Sequence, residues 1–208
     1  LPTPDKEQQS QRVKNFMNYQ LMDQMKEYEP EFDQMLFNLP LAGSTFKKVY
    51  YDELMQRAVS KFVPADDLVV PYTATSLDDC ETIIHTVRMT ENELRKQQVG
   101  GFYRDIEVNP THLNETEAEK KERALEGVSK GRDDRMFSIL ECHTDLDLEG
   151  FEDVGQDGEP TGIKIPYIIT LEEGTRKILS IRRNYEVGDP MKKKINYFVH
   201  FKFLPGLG

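Results

Sequence analysis

The sequence predicts an α+β fold, with helices first and a mainly antiparallel sheet after them, in a chain of 208 residues. Three features point there. Apolar residues recur at helical spacing as far as Pro40, and from Arg135 onward they alternate with polar ones, the period of a strand. The alternating runs are parted mostly by short turns, which join antiparallel strands, whereas parallel strands need long crossovers.

Pro4-Asp5 followed by Gln8 offers a helix start. Val13, Phe16, Met17, Leu21, Met25 and Tyr28 then keep helical spacing, and Pro30 is expected to end that helix. A shorter helix with Phe32, Met35, Leu36 and Leu39 runs to Pro40. Such stripes are read first as core faces, although their methionines also suit an adaptable partner groove. The segment from Phe46 to Phe62 admits helix or strand, and periodicity alone does not decide it. Leu68-Val69-Val70, closed by Pro71, reads as a short strand.

Over 82–89, Ile83, His85, Val87 and Met89 share one strand face. Thr90-Glu91-Asn92-Glu93 is a capping box opening a helix that Gly100-Gly101 stops. Thr116-Glu117-Ala118-Glu119 opens a second, highly charged helix ending near Gly127 or Gly131. Four strands are then expected as a C-terminal meander. In the first, Leu140, Cys142, Leu146 and Leu148 are assigned to the core, opposite Glu141, His143, Asp145 and Asp147. Ile163 to Leu171 follows, then Ile178 to Tyr185 after a Glu173-Gly174 turn, then Ile195 to Phe203 after Gly188-Asp189-Pro190. The organisation expected is one fragment: helical over 1–43, mixed α/β over 44–134, an antiparallel meander over 135–208.

Composition narrows the function. The formal net charge is −10, 31% of residues are charged and 38% are hydrophobic. An acidic chain is poorly suited to gripping nucleic-acid phosphates over a broad face. No apolar run reaches the roughly 18 residues a membrane span needs. Cys80 and Cys142 form neither metal-ligand spacing nor a disulfide framework, which suits a reducing cytoplasm. The chain opens at Leu1 without a charged-then-apolar leader and stops directly after a strand-like run, so it is expected to be a piece of a longer polypeptide.

Catalytic motifs are missing: there is no glycine-rich phosphate loop, no serine elbow and no HExxH. The acidic stretch 141–159 holds eight carboxylates and no Lys or Arg. Within it Asp145, Asp147, Glu149 and Gly150 imitate the start of a calcium loop, and these three acids are the residues a divalent ion would use. The twelfth position, however, is Gln156, which cannot supply the bidentate carboxylate. The preferred reading is a solvated acidic loop. His143 shares a face with Glu141 and Asp145, so a His–carboxylate pair is possible, but no nucleophile is nominated beside it. Cys142 reads as a core thiol and His85 as a satisfied core histidine, while His112 and His200 have no company. Residues 176–194 carry seven basic side chains, Arg182 and Arg183 among them, against two acidic ones. Solvated hairpin edges explain this, and so does a head-to-tail subunit contact in which Arg182 and Arg183 meet a neighbour's acidic stretch.

Several stretches together resemble one family. Phe46-Lys-Lys-Val-Tyr-Tyr-Asp52, Phe62-Val-Pro-Ala-Asp-Asp-Leu-Val-Val-Pro-Tyr72, Arg88-Met-Thr-Glu-Asn-Glu-Leu94 and Gly101-Phe-Tyr103 are similar to the portal proteins of tailed bacteriophages, the short-tailed-phage group in particular. Phe16-Met-Asn-Tyr-Gln-Leu21 and the stretch from Phe32 to Gly43 fit the same pattern. The resemblance implies the N-terminal wing region of a ring subunit at a capsid vertex of the virion, assembled in the cytoplasm of a bacterial host. It implies a homo-oligomeric ring of about twelve copies, through which double-stranded DNA passes without sequence recognition during packaging and ejection. Capsid, terminase and head-tail adaptor proteins are the implied partners. The terminase hydrolyses ATP, so the portal is not an enzyme and needs no cofactor. Stem, clip and crown segments would follow residue 208. The resemblance also tips 46–72 toward strands. Two other readings stand beside it: a divalent-metal nuclease or phosphohydrolase using the 141–159 carboxylates, and a host protein–protein adaptor.

Overall fold

The computed structural model describes residues 4–52, 55–108, 136–155 and 157–203. In chain order the elements are helix α1 (Pro4–Tyr19), a π-helical turn (Gln20–Gln24), α2 (Tyr28–Ala42), β1 (Ser44–Asp52), β2 (Arg57–Val63), β3 (Leu68–Val69), β4 (Thr82–Thr90), α3 (Glu91–Val99), β5 (Met136–Leu146), β6 (Ile165–Glu172), β7 (Ile178–Arg183) and β8 (Phe198–Lys202). Helices with antiparallel sheets make this an α+β fold. The chain divides into two compact units, Leu1–Asp66 with Asn196–Gly208, and Asp67–Ile195. The charged helix expected at 116–131 lies outside the described residues.

In the first unit a three-stranded sheet runs in the order β2-β1-β8. The 46–62 segment is a pair of strands, with Phe46 opposite Val63 and Asp52 opposite Arg57. Two helix boundaries differ from expectation. Pro30 does not end the first helix but sits in the first turn of α2, where a missing N–H leaves no intrahelical bond unmade. The break falls instead at the π-helical turn and Met25. Pro40 lies inside the last turn of α2, and the stop is Gly43, whose φ of 74° lets its N–H return to Leu39 O at 2.9 Å. Only glycine takes that backbone geometry without strain.

One face of α2 is tied to the sheet. Met35 is 2% exposed. Glu27 accepts from Arg57 at 2.5 Å, and Glu31 Oε2 accepts from the Phe62 backbone N–H at 2.6 Å. Burial opposes ionisation of Glu27, but the Arg57 hydrogen bond and charge hold its carboxyl below the ordinary 4.5. Between them Lys47 of β1, also buried, places Nζ 4.4 Å from the Tyr28 ring centre and 4.9 Å from that of Phe32. Those two rings stack at 5.9 Å. A buried ammonium against aromatic faces is held by their quadrupoles in place of water. On β8, His200 is stacked on Phe46 at 4.6 Å and meets Ser44 Oγ at 2.7 Å, so it has the company that the sequence did not show. Burial, seconded by Lys202, pushes its pKa below 6.5.

The second unit holds a five-stranded sheet in the order β3-β4-β5-β6-β7. Its capping box forms as expected: Thr90 Oγ1 accepts from Glu93 N at 3.3 Å, and Thr90 N donates to Glu93 Oε2 at 2.8 Å. That box aims α3 so that Leu94 packs with Met89, Phe137, Ile139 and Leu179. The expected four-strand meander is three strands, β5-β6-β7, because β8 pairs with β1 in the other sheet, Lys47 opposite Val199. The β7–β8 connection is too long for a hairpin, and alternation alone does not name a strand's neighbour.

Lys47 makes the packing of α2 pH-dependent. Burial lowers its pKa below the ordinary 10.5, with Glu31 pulling the other way. The folded state therefore releases this proton before the unfolded chain does, and stability from this group rises with pH up to the unfolded value. The thermal midpoint of Lys47→Met minus that of the parent is expected to fall from about pH 7 to about pH 10. A difference that stays constant in thermal scans would contradict the burial of a charged amine here.

Candidate functional site

The alternation of β5 is real but its buried face is the opposite of the expected one. Phe137, Ile139 and His143 are buried, with His143 2% exposed, whereas Leu140, Cys142 and Leu146 are only half-buried. The reason is that Glu141 and His143 partner each other, His143 Nε2 lying 2.7 Å from Glu141 Oε1. A paired imidazole and carboxylate are tolerated inside a sheet where either alone would be costly.

Register places further polar groups in line. Leu68, His85, Glu141, Thr170 and Ser180 are successive cross-strand neighbours from β3 to β7. This brings a His–Glu pair and two hydroxyls onto one sheet face, the ingredients of nucleophilic catalysis. Burial decides against that use: Thr170 is 1% exposed and Ser180 8%, and a nucleophile must be reachable by substrate. Glu172, at 0% exposure, serves the fold in the same way. Its oxygens accept from Gly174 N at 2.8 Å and from both Thr175 N and Thr175 Oγ1 at 2.5 Å, fixing the expected β6–β7 turn.

The acids nominated for a metal are spread out. Asp145 is on β5 opposite Pro166, while Asp147 and Glu149 are exposed residues beyond the strand. Among the described residues no three His, Cys, Asp or Glu side chains are placed to hold a metal ion. Burial raises the Cys142 thiol, with Glu141 adding to it, so it is a poor nucleophile at neutral pH.

Arg182 and Arg183 do not form one patch. On the edge strand β7, Arg182 is opposite Ile168 and Arg183 opposite Tyr167, so they project from opposite faces. The Tyr167 hydroxyl, followed by Tyr185, raises the Arg183 pKa. The acidic and basic stretches also meet inside one chain, because Lys192 pairs with Asp153. That contact occupies one charge from each side of the expected intersubunit pairing.

The prominent open surface is in the first unit. α1 buries no residue, and Val13, Phe16 and Met17 are between 47% and 57% exposed. The outer side of α2 shows Leu36, Phe37 and Leu41 at 48%, 72% and 73%. The core face expected for the first stripe is thus open, and Phe37 and Leu41 lie outside the expected stripes. The available signal was apolar residues on two sides of one helix, which a single-sided surface helix does not carry. No helix among the described residues is long and apolar enough to cross a membrane.

No family model matches the chain, and no curated protein matches it.

The buried pair makes a plain prediction. His143→Ala removes a core ring and the hydrogen-bond partner of Glu141, and is expected to cost about 2–4 kcal/mol in denaturant unfolding. Glu141→Gln keeps the size and a hydrogen-bonding group, so its cost should be smaller. A His143→Ala protein as stable as the parent would contradict the structural role of the pair.

Proposed function

We propose that this chain is the wing region of a portal-ring subunit of a tailed phage or prophage, a structural protein at the capsid vertex through which double-stranded DNA is packaged and ejected. The observation that carries the reading is the resemblance of Phe46–Asp52, Phe62–Tyr72, Arg88–Leu94 and Gly101–Tyr103 to that family. The stretches fall on elements that define the architecture. The first lies on β1, the second runs from β2 to β3, and the third joins β4 to α3 through the capping box. Residues shared for this reason serve shape, not chemistry.

A mechanical role also fits the charge. At −10 overall the chain repels a phosphate backbone, and like charge lets a polyanion slide past without sticking. In this reading the protein performs no reaction and holds no cofactor. Its partners are other copies of itself, together with capsid, terminase and head-tail adaptor proteins, and it assembles in the bacterial cytoplasm before joining the virion.

The test is negative-stain imaging with native mass spectrometry of the complete reading frame. The expected result is closed rings of about twelve copies around a central hole. A protein that stays monomeric across micromolar concentrations would overturn the proposal.

A further inference from the structure

We propose that α1 of one copy docks, parallel, along the outer face of α2 of a second copy of this chain. The inference rests on the self-assembling part of the reading above and specifies its contact. It starts from a helix of 16 residues that buries none of its side chains. An isolated helix of that length is marginal in water, and proteins stabilise helices mainly by covering an apolar face. The stripe Val13, Phe16, Met17 continues through half-buried Leu21 to Met25, which is buried. It is therefore packed at one end and bare at the other.

The outer face of α2 matches it in both apolar and charged positions. Val13 follows Lys6 by seven positions on α1, just as Leu36 follows Glu29 by seven on α2. Both intervals are about 10 Å along a helix axis. In a parallel register Lys6 meets Glu29 and Asp33, Val13 meets Leu36, and Phe16 and Met17 meet Phe37 and Leu41. Lys6, Glu29 and Asp33 are all exposed and make no ion pair among the described residues. The charged residues of α2 are Glu29, Glu31 and Asp33, all acidic; on α1, Arg12 and Lys14 flank the stripe, while Asp5 and Glu7 lie about 100° to either side of Lys6. An antiparallel arrangement can also pair apolar residues, Val13 with Leu41 and Met17 with Phe37, but it carries Lys6 past the end of α2 and away from Glu29 and Asp33.

The α2 that receives α1 belongs to another copy, because its own is out of reach. Lying parallel on its own α2, α1 would need its connection to return the length of a 15-residue helix, about 22 Å. The π-helical turn takes Gln20–Gln24, leaving Met25, Lys26 and Glu27 to span at most about 10 Å. Because each copy then carries both a donor helix and an acceptor face, the contact is head-to-tail, the kind that repeats into rings.

The experiment uses the complete reading frame. Val13→Cys protein and Leu36→Cys protein are mixed and oxidised with copper–phenanthroline, with the parent as control for Cys80 and Cys142. A mixed disulfide-linked species is expected, whose yield falls about three- to tenfold with Lys6→Glu and returns when Glu29→Lys and Asp33→Lys are placed on the partner. All five substituted positions are exposed, so folding is not at stake. Rings without the mixed crosslink would overturn this contact and leave the portal reading standing. Crosslinks of Val13→Cys protein with itself, or within a chain carrying both cysteines, would overturn it in favour of an α1–α1 or intrachain contact. Absence of any assembly would overturn both.

Discussion

A buried ammonium sets the geometry of the first unit. Lys47 has left water, and the stacked rings of Tyr28 and Phe32 take its place. Such an exchange is tolerable only while the rings stay where they are. Glu27 and Glu31 hold the same side of α2, one through Arg57 and the other through the Phe62 amide. Rolling the helix to bury Phe37 would break all of these at once. The apolar outer face is thus a consequence of how firmly the inner face is held.

The second unit obeys a comparable constraint with different chemistry. Its sheet buries a line of polar side chains, and its buried acids and His143 are satisfied from within. Glu141 answers His143, and Glu172 closes the β6–β7 turn with three accepted hydrogen bonds. Such groups cost stability when mispaired, so one strand register is favoured over its neighbours. Glu141 and His143, which resemble a catalytic pair in the sequence, are used by the sheet to fix its own alignment.

Local signals were legible in the sequence, and pairings over distance were not. The Thr90–Glu93 box and the strands β4 to β7 follow from spacing, because capping and alternation are decided within a few residues. Hydrophobicity alone points to the other face of β5, because Leu140 and Cys142 outrank Glu141 and His143, while the hydrogen bond that reverses the preference is invisible to a pattern. Chain order suggests β7 as the neighbour of β8, since alternation reveals a strand but not the Ser44–Lys48 segment it pairs with. The helical stripe of Val13, Phe16 and Met17 was seen, but whether a core or a second molecule covers it depends on tertiary structure. Arg182 and Arg183 are neighbours in sequence, and strand geometry separates them.

In the proposed assembly, the bare outer face of α2 receives the α1 helix that stands uncovered in a single copy. Hydrogen exchange of the complete protein, followed from dilute to micromolar concentration, tests this directly. Amides of α2 should be protected at every concentration, while those of α1 exchange quickly in dilute solution and slow as copies associate. Slow exchange of α1 in the dilute monomer, or fast exchange persisting in the assembled protein, would contradict it.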